Sequence, residues 1–278
     1  MSVAVVTDST AYLPAGHGIT VVPLTVVING VEGREGLDAT SAEVARALSA
    51  RRVAVTTSRP SPEVFVSTYR RLLDAGATGV VSVHLSAELS GTFESATLAA
   101  AQVGERLAVV DAQSTGMGLG FPALAAAAAA AEGADLDGVR GAAADAIDRT
   151  TTLLYVDTLE FLRRGGRIGA ASALLGTALS VKPILLVSKG AIVVRDKVRT
   201  PSRGVARLVE LAVETTAESD VDIAVHHLGA AERAAALAGA LGERLGERLH
   251  ERYITEVGAV VAAHVGPGLF GVVVHRRA

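Results

Sequence analysis

Cysteine is absent from all 278 residues. That excludes disulfides and thiolate metal sites, and it makes the reducing cytoplasm the natural compartment. Tryptophan is absent too, and aromatic residues make up only 3% of the chain, so an apolar pocket would need mainly aliphatic walls. Basic residues are not in excess: the net charge is −3, whereas a nucleic-acid binder needs a strong positive field. No apolar run is long enough for a bilayer. The longest, Phe121–Ala131, is alanine-rich and reads as a helix former. A stable membrane span is therefore not expected, although transient membrane contact is left open. The start, MSVAVVTDST, lacks the charged and apolar regions of a signal peptide. No G-x-S-x-G elbow, Walker A loop or H-E-x-x-H pair occurs, and the seven histidines form no metal set.

What is present reads as a folded protein. Half the residues are hydrophobic and 20% are charged, which argues against disorder. Strands are expected at Val3–Thr7, Thr20–Ile28, Val53–Thr56, Gly79–His84 and Leu107–Val110. Helices are expected near Ser41–Ser49, Pro62–Ala75, Thr92–Val103, Met117–Ala131 and Ala134–Arg149. This alternation predicts a mostly parallel sheet covered by helices. The polar loops after Thr7, Thr56, His84 and Val110 should then share the sheet's carboxyl edge, where ligands bind in such folds.

After Thr150 the texture changes. A strand at Thr151–Val156 and a short helix at Thr158–Arg164 lead to a hairpin of Lys182–Val187 with Ala191–Lys197. Helix Ser202–Thr216, strand Val221–His226, helix Ala231–Arg252 and strand Leu269–His275 follow. The expectation is an α/β chain of two domains, 1–150 with a parallel sheet and 151–278 with a mixed sheet. Gly242–Leu245 recurs as Gly246–Leu249 and reads as a solvated helix face.

Several constellations bear on function. Thr57 and Ser58 follow one strand, and Ser86, Ser90 and Thr92 follow another, with Ser90-Gly91-Thr92 opening a helix. Hydroxyls converging on a helix N-terminus suit a carboxylate, although N-capping explains any one of them. The stretch Asp111–Gly120 has the outline of a dinucleotide loop, but its glycines are spaced G-x-G-x-G, which suits close helix–strand packing better. Arg163, Arg164 and Arg167 flank Gly165-Gly166. They read equally as a basic helix end with a glycine stop or as a phosphate- or partner-facing patch. Asp8, Asp111 and Asp157 sit at strand ends, where capping roles are favoured over Mg²⁺ binding.

Taken in order, these segments resemble the DegV family over nearly the whole chain. The carrying motifs are Thr7–Thr10, Thr57–Pro62, Leu89–Ala96, Asp111–Gly120, Asp157–Ile168, Lys182–Leu185 and His264–Gly268. The resemblance implies a fatty acid in a tunnel between two α/β domains, no other cofactor and no catalysis by this chain. It implies that Thr57 and Ser90 hold the carboxylate, with Ser58, Arg59, Gly91 and Thr92 around them and Arg167 and His264 near the tunnel mouth. Arg59 departs from the family's usual glutamine and would be placed to reach the headgroup or a docking surface. The implied partner is an ATP-dependent fatty acid kinase, to which the bound acid is presented. The competing reading is an enzyme acting on a small phosphorylated or carboxylated metabolite.

Overall fold

A computed structural model describes residues 2–50, 53–174 and 181–278. In chain order, the first strands are β1 (Ala4–Asp8), β2 (Thr20–Val22), β3 (Thr25–Ile28) and β4 (Val31–Arg34). Helix α1 (Ser41–Ser49), β5 (Val55–Ser58), α2 (Pro62–Asp74), β6 (Val80–His84) and α3 (Thr92–Val103) come next. Then come β7 (Leu107–Asp111), α4 (Met117–Ala131), α5 (Leu136–Asp148), β8 (Thr150–Tyr155) and α6 (Glu160–Arg164). The last part holds β9 (Lys182–Ser188), β10 (Ala191–Val198), α7 (Pro201–Thr215), β11 (Val221–His227) and α8 (Ala231–Leu245). It closes with β12 (Leu249–Glu256), α9 (Ala259–Val265) and β13 (Phe270–Arg276). No helix among the described residues is long and apolar enough to cross a membrane.

The chain divides into two compact units. One comprises Met1–Thr25 and Thr57–Asp148, the other Val26–Thr56 and Arg149–Ala278. A single cut at 150 does not describe this division, because Val26–Thr56 is grouped with the C-terminal segment.

In the first unit, β2-β1-β6-β7 form a parallel sheet. Every residue of β6 is buried, as befits a strand covered on both faces. Its core joins Val6, Val22 and Val80 to Phe65 and Tyr69 of α2 and Ala96 and Ala99 of α3. The small α3 side chains allow close approach to the sheet. Gly120 of α4 allows close approach to the 3-10 turn after β1: a Cβ there would meet the Ala11 carbonyl oxygen at 2.6 Å. The glycines of the Asp111–Gly120 stretch thus include one required for packing.

In the second unit, the order β10-β9-β8-β13-β11-β12 makes a mixed sheet whose only parallel pair among the described registers is β11 with β12. The core joins Leu153, Tyr155, Ile184, Val225 and Phe270 of the strands to Leu208 and Leu211 of α7 and Leu237 and Leu241 of α8. The Tyr155 and Phe270 rings stack with centroids 4.5 Å apart. The α/β class with one parallel and one mixed sheet matches the expectation.

Three local expectations are corrected. Thr20–Ile28 is not one strand: Pro23 interrupts it, β2 pairs with β1, and β3 belongs to a three-stranded sheet β4-β3-β5. A proline has no N–H for a ladder. The strand expected at Val53–Thr56 runs Val55–Ser58, and it lies in that three-stranded sheet rather than the parallel one. The helix expected at Ala231–Arg252 ends at Leu245, where Gly246 adopts a left-handed φ of 56°. The chain then makes a short 3-10 turn and enters β12. The repeated Gly-Glu-Arg-Leu therefore ends a helix the first time and leads into a strand the second.

Candidate functional site

Because β1, β6 and β7 are parallel neighbours, their carboxyl ends lie side by side and bring Asp8, His84 and Asp111 to one edge. The loop after β6 hangs between two of these carboxylates. On one side, Asp8 Oδ2 accepts the Leu85 N–H at 3.0 Å. On the other, Asp111 Oδ1 accepts the Ala87 N–H at 3.3 Å and the Gln113 N–H at 2.8 Å. Ser86 donates its own N–H to the Ser114 carbonyl, and its carbonyl accepts from Leu89 and Ser90. The loop is a compact turn whose N–H groups from Leu85 to Ser90 all find partners, half of them within the loop and half on Asp8, Ser114 and Asp111.

This turn delivers Ser90, Gly91 and Thr92 to the start of α3. Ser90 Oγ lies 2.9 Å from Thr92 Oγ1, and the Thr92 N–H donates to Ser90 Oγ at 3.3 Å. Thr92 is fully buried and Ser90 half-buried. Gly91 is the N-cap and supplies no capping side chain, so the opening turn of α3 is framed by two hydroxyls and backbone N–H groups. Such a terminus favours an anion.

Thr57 and Ser58 lie inside β5 rather than after it. Thr57 is half-buried, whereas Ser58 is exposed and its hydroxyl donates to the Arg59 carbonyl. Although β5 is not in the parallel sheet, its following loop still reaches α3. The Arg59 guanidinium donates to the Gly91 carbonyl oxygen at 3.2 Å and forms an ion pair with Glu94 in the first turn of α3. Arg59 is therefore engaged with α3 through Nη1. Its cost to Gly91 is steric: a Cβ at Gly91 would overlap the guanidinium.

The remaining candidates, Arg167 and His264, meet in the second unit. Helix α6 ends in Gly165 and Gly166, and Gly166 takes a left-handed φ of 72°. Arg167 Nη1 turns back to donate to the Gly165 carbonyl at 2.5 Å. A Cβ at Gly165 would overlap His264 Nδ1, so α9 presses its imidazole onto the glycine stop of α6. Burial, with the Arg167 charge beside it, pushes the His264 pKa down to about 4. Arg163 and Arg164 belong elsewhere. Both grip Glu160 one turn earlier, at 2.7 and 2.8 Å, which identifies them as the basic end of a short helix.

Sequence reasoning did not single out a second polar node in this unit. Tyr155 donates its hydroxyl to Asp157 Oδ1 at 2.9 Å. Lys182 donates to the Asp157 carbonyl at 2.7 Å, and Arg233 stands 3.7 Å from Asp157 Oδ2. Asp157 and Lys182 stand at strand edges in the sequence, but Arg233 comes from α8, more than seventy positions from Asp157, and has no local signal.

Comparison with known proteins sets these features in context. A family model described as an uncharacterised protein of the DegV family matches residues 2–277. A DegV domain-containing protein of Streptomyces coelicolor is 52% identical, with 99% of both chains covered. The solved structure of a DegV family protein of Thermus thermophilus, reported for its fatty acid binding, superimposes with a TM-score of 0.94 at 34% identity over all of both chains. DegV of Bacillus subtilis, described as a fatty acid binding protein, follows with a TM-score of 0.89 at 32% identity over both whole chains. With a family model matched over residues 2–277 and a relative 52% identical over 99% of both chains, the chain belongs to the DegV family.

Proposed function

We propose that this protein binds a long-chain fatty acid non-covalently and presents its carboxylate to a separate ATP-dependent fatty acid kinase. The observation that carries the reading is the full-length likeness, at a TM-score of 0.94, to a DegV protein reported for fatty acid binding. The hydroxyl-lined opening of α3 supplies chemistry of the required kind. Thr57 and Ser90 would hold the carboxylate, with Thr92 hydrogen-bonded beside Ser90, and the helix N-terminus would offset its charge. A bond from a hydroxyl to a charged acceptor contributes roughly 1–3 kcal/mol. The acyl chain contributes about 0.8 kcal/mol per buried methylene, on the order of 10 kcal/mol in all before the costs of ordering it.

On this reading the protein is a carrier located in the cytoplasm. Phosphoryl transfer belongs to the kinase, in keeping with a sequence that has no Walker A loop. The test is extraction of purified protein under denaturing conditions followed by mass spectrometry. A fatty acid near one equivalent, or uptake of added oleate, is the expected result. Absence of both copurified acid and oleate uptake would refute the proposal. Kinase coupling is tested separately, by acyl-phosphate formation that requires both this chain and an ATP-dependent fatty acid kinase.

A further inference from the structure

A buried polar chain runs through the first unit behind the Ser90 turn. Tyr69 on α2 donates its hydroxyl to Ser82 Oγ at 2.9 Å, Ser82 Oγ lies 2.7 Å from His84 Nε2, and His84 Nδ1 lies 3.0 Å from Asp8 Oδ2. All four residues are at most 1% exposed. The order carboxylate, imidazole, hydroxyl is that of an acyl-transfer triad. Ser82 is nevertheless no nucleophile, because it is sealed in the core and already receives the Tyr69 hydroxyl.

The hydrogen-bond inventory gives the chain a direction. With Tyr69 as donor, the Ser82 hydroxyl proton is left for His84 Nε2, so the Nδ1 proton points at Asp8. Asp8 then collects four donors, two on each oxygen. Thr10 N–H and Thr10 Oγ1 reach Oδ1 at 3.1 and 2.6 Å, and His84 Nδ1 and Leu85 N–H reach Oδ2 at 3.0 Å each. A buried carboxylate with a full complement of donors is held rigidly, and losing one partner carries a desolvation penalty. Of these donors, Leu85 N–H is the first backbone group of the turn that carries Ser90.

We infer that Asp8 and His84 are positioning residues for the carboxylate site. His84 orients the Asp8 carboxylate, Asp8 fixes the backbone of Leu85, and the turn Ser86–Gly91 thereby presents Ser90 and Thr92 in one geometry. The inference rests on the proposed carboxylate site at Ser90. The relevant ligand group is an acid headgroup, and the acyl chain is indifferent to this network.

The experiment compares oleate with oleyl alcohol, which keeps the chain and lacks the acid. It also follows amide hydrogen exchange over Leu85–Gly91 in the ligand-free protein. Asp8→Asn is expected to weaken oleate binding by about tenfold, the scale of one charge-assisted hydrogen bond. Binding of oleyl alcohol should hold, and amide exchange of the turn should accelerate. His84→Leu should act alike, and it carries the test if Asp8→Asn does not fold. His84→Asn, whose amide can still donate toward Asp8, should restore part of the oleate preference. Tyr69→Phe lies at the far end of the chain and should lower the melting temperature without changing the ratio of the two affinities. Equal loss of both ligands in Asp8→Asn, or unchanged exchange of the turn, would overturn the inference. If the unaltered protein itself shows no preference for oleate, the carboxylate site is what fails, and the exchange measurement still decides whether Asp8 holds the turn.

Discussion

The Arg59 guanidinium donates to the Gly91 carbonyl oxygen at 3.2 Å, tying the β5–α2 loop to the N-cap of α3. The same side chain pairs with Glu94, the acidic residue nearest the opening of that helix. The positive charge of Arg59 is thus offset on the spot. On the proposed carboxylate site at the opening of α3, loss of Arg59 would leave the Glu94 charge beside the ligand without its partner.

Arg59→Gln should therefore weaken fatty acid binding severalfold at low salt, with the difference shrinking as salt screens the exposed carboxylate. Stability should change by no more than about 1 kcal/mol, since both partners are substantially exposed. Arg59→Gln combined with Glu94→Gln should regain the lost affinity. Titration with a fluorescent fatty acid at two salt concentrations measures both effects, and a salt-independent loss would show that Arg59 acts otherwise.

Thr57→Ala with Ser90→Ala should cut oleate affinity by about tenfold or more, as roughly 1–3 kcal/mol of hydrogen bonding is removed. The fold should survive, because neither hydroxyl belongs to a hydrophobic core cluster. Calorimetric titration and circular dichroism check the two halves. Unchanged retention in the double variant would place the headgroup elsewhere.

Acid should destabilise the protein before its carboxylates titrate. Burial holds His226 and His264 down to about 4, against an ordinary value of 6.5. The unfolded chain binds these protons first, so stability is complete above 6.5 and is lost as pH falls toward 4. Urea midpoints across that range should decline with acidity, and His226→Leu should flatten the decline by up to one proton's worth. A midpoint independent of pH over this interval would contradict the burial of both imidazoles.

Gly204→Ala should be a severe change for its size. The new Cβ would meet the Tyr155 ring at 2.6 Å, and that ring is locked by its stack on Phe270 and its bond to Asp157. Overpacking of this kind costs about 1–3 kcal/mol, although alanine would otherwise favour the α7 helix. Tyr155→Phe, which keeps the ring and removes the bond, should cost about 1 kcal/mol. Thermal melts of the two variants should rank them in that order.

The sequence by itself determined the α/β alternation, the hairpin at Lys189-Gly190 and the turn at Ser90-Gly91-Thr92. Periodicity sets the first, left-handed backbone at Lys189 and Gly190 sets the second, and the hydroxyl–glycine–hydroxyl start of a helix sets the third. Tertiary structure alone decided that β5 leaves the parallel sheet, and that the second Gly-Glu-Arg-Leu leads into a strand. It also decided that Arg59 closes onto Gly91 and Glu94, that His84 joins Asp8, and that Arg233 reaches Asp157. These outcomes depend on partners from 25 to 76 positions away. A residue's spacing sets the face it presents, but which group meets that face is chosen by packing and by the need of every buried polar atom for a partner.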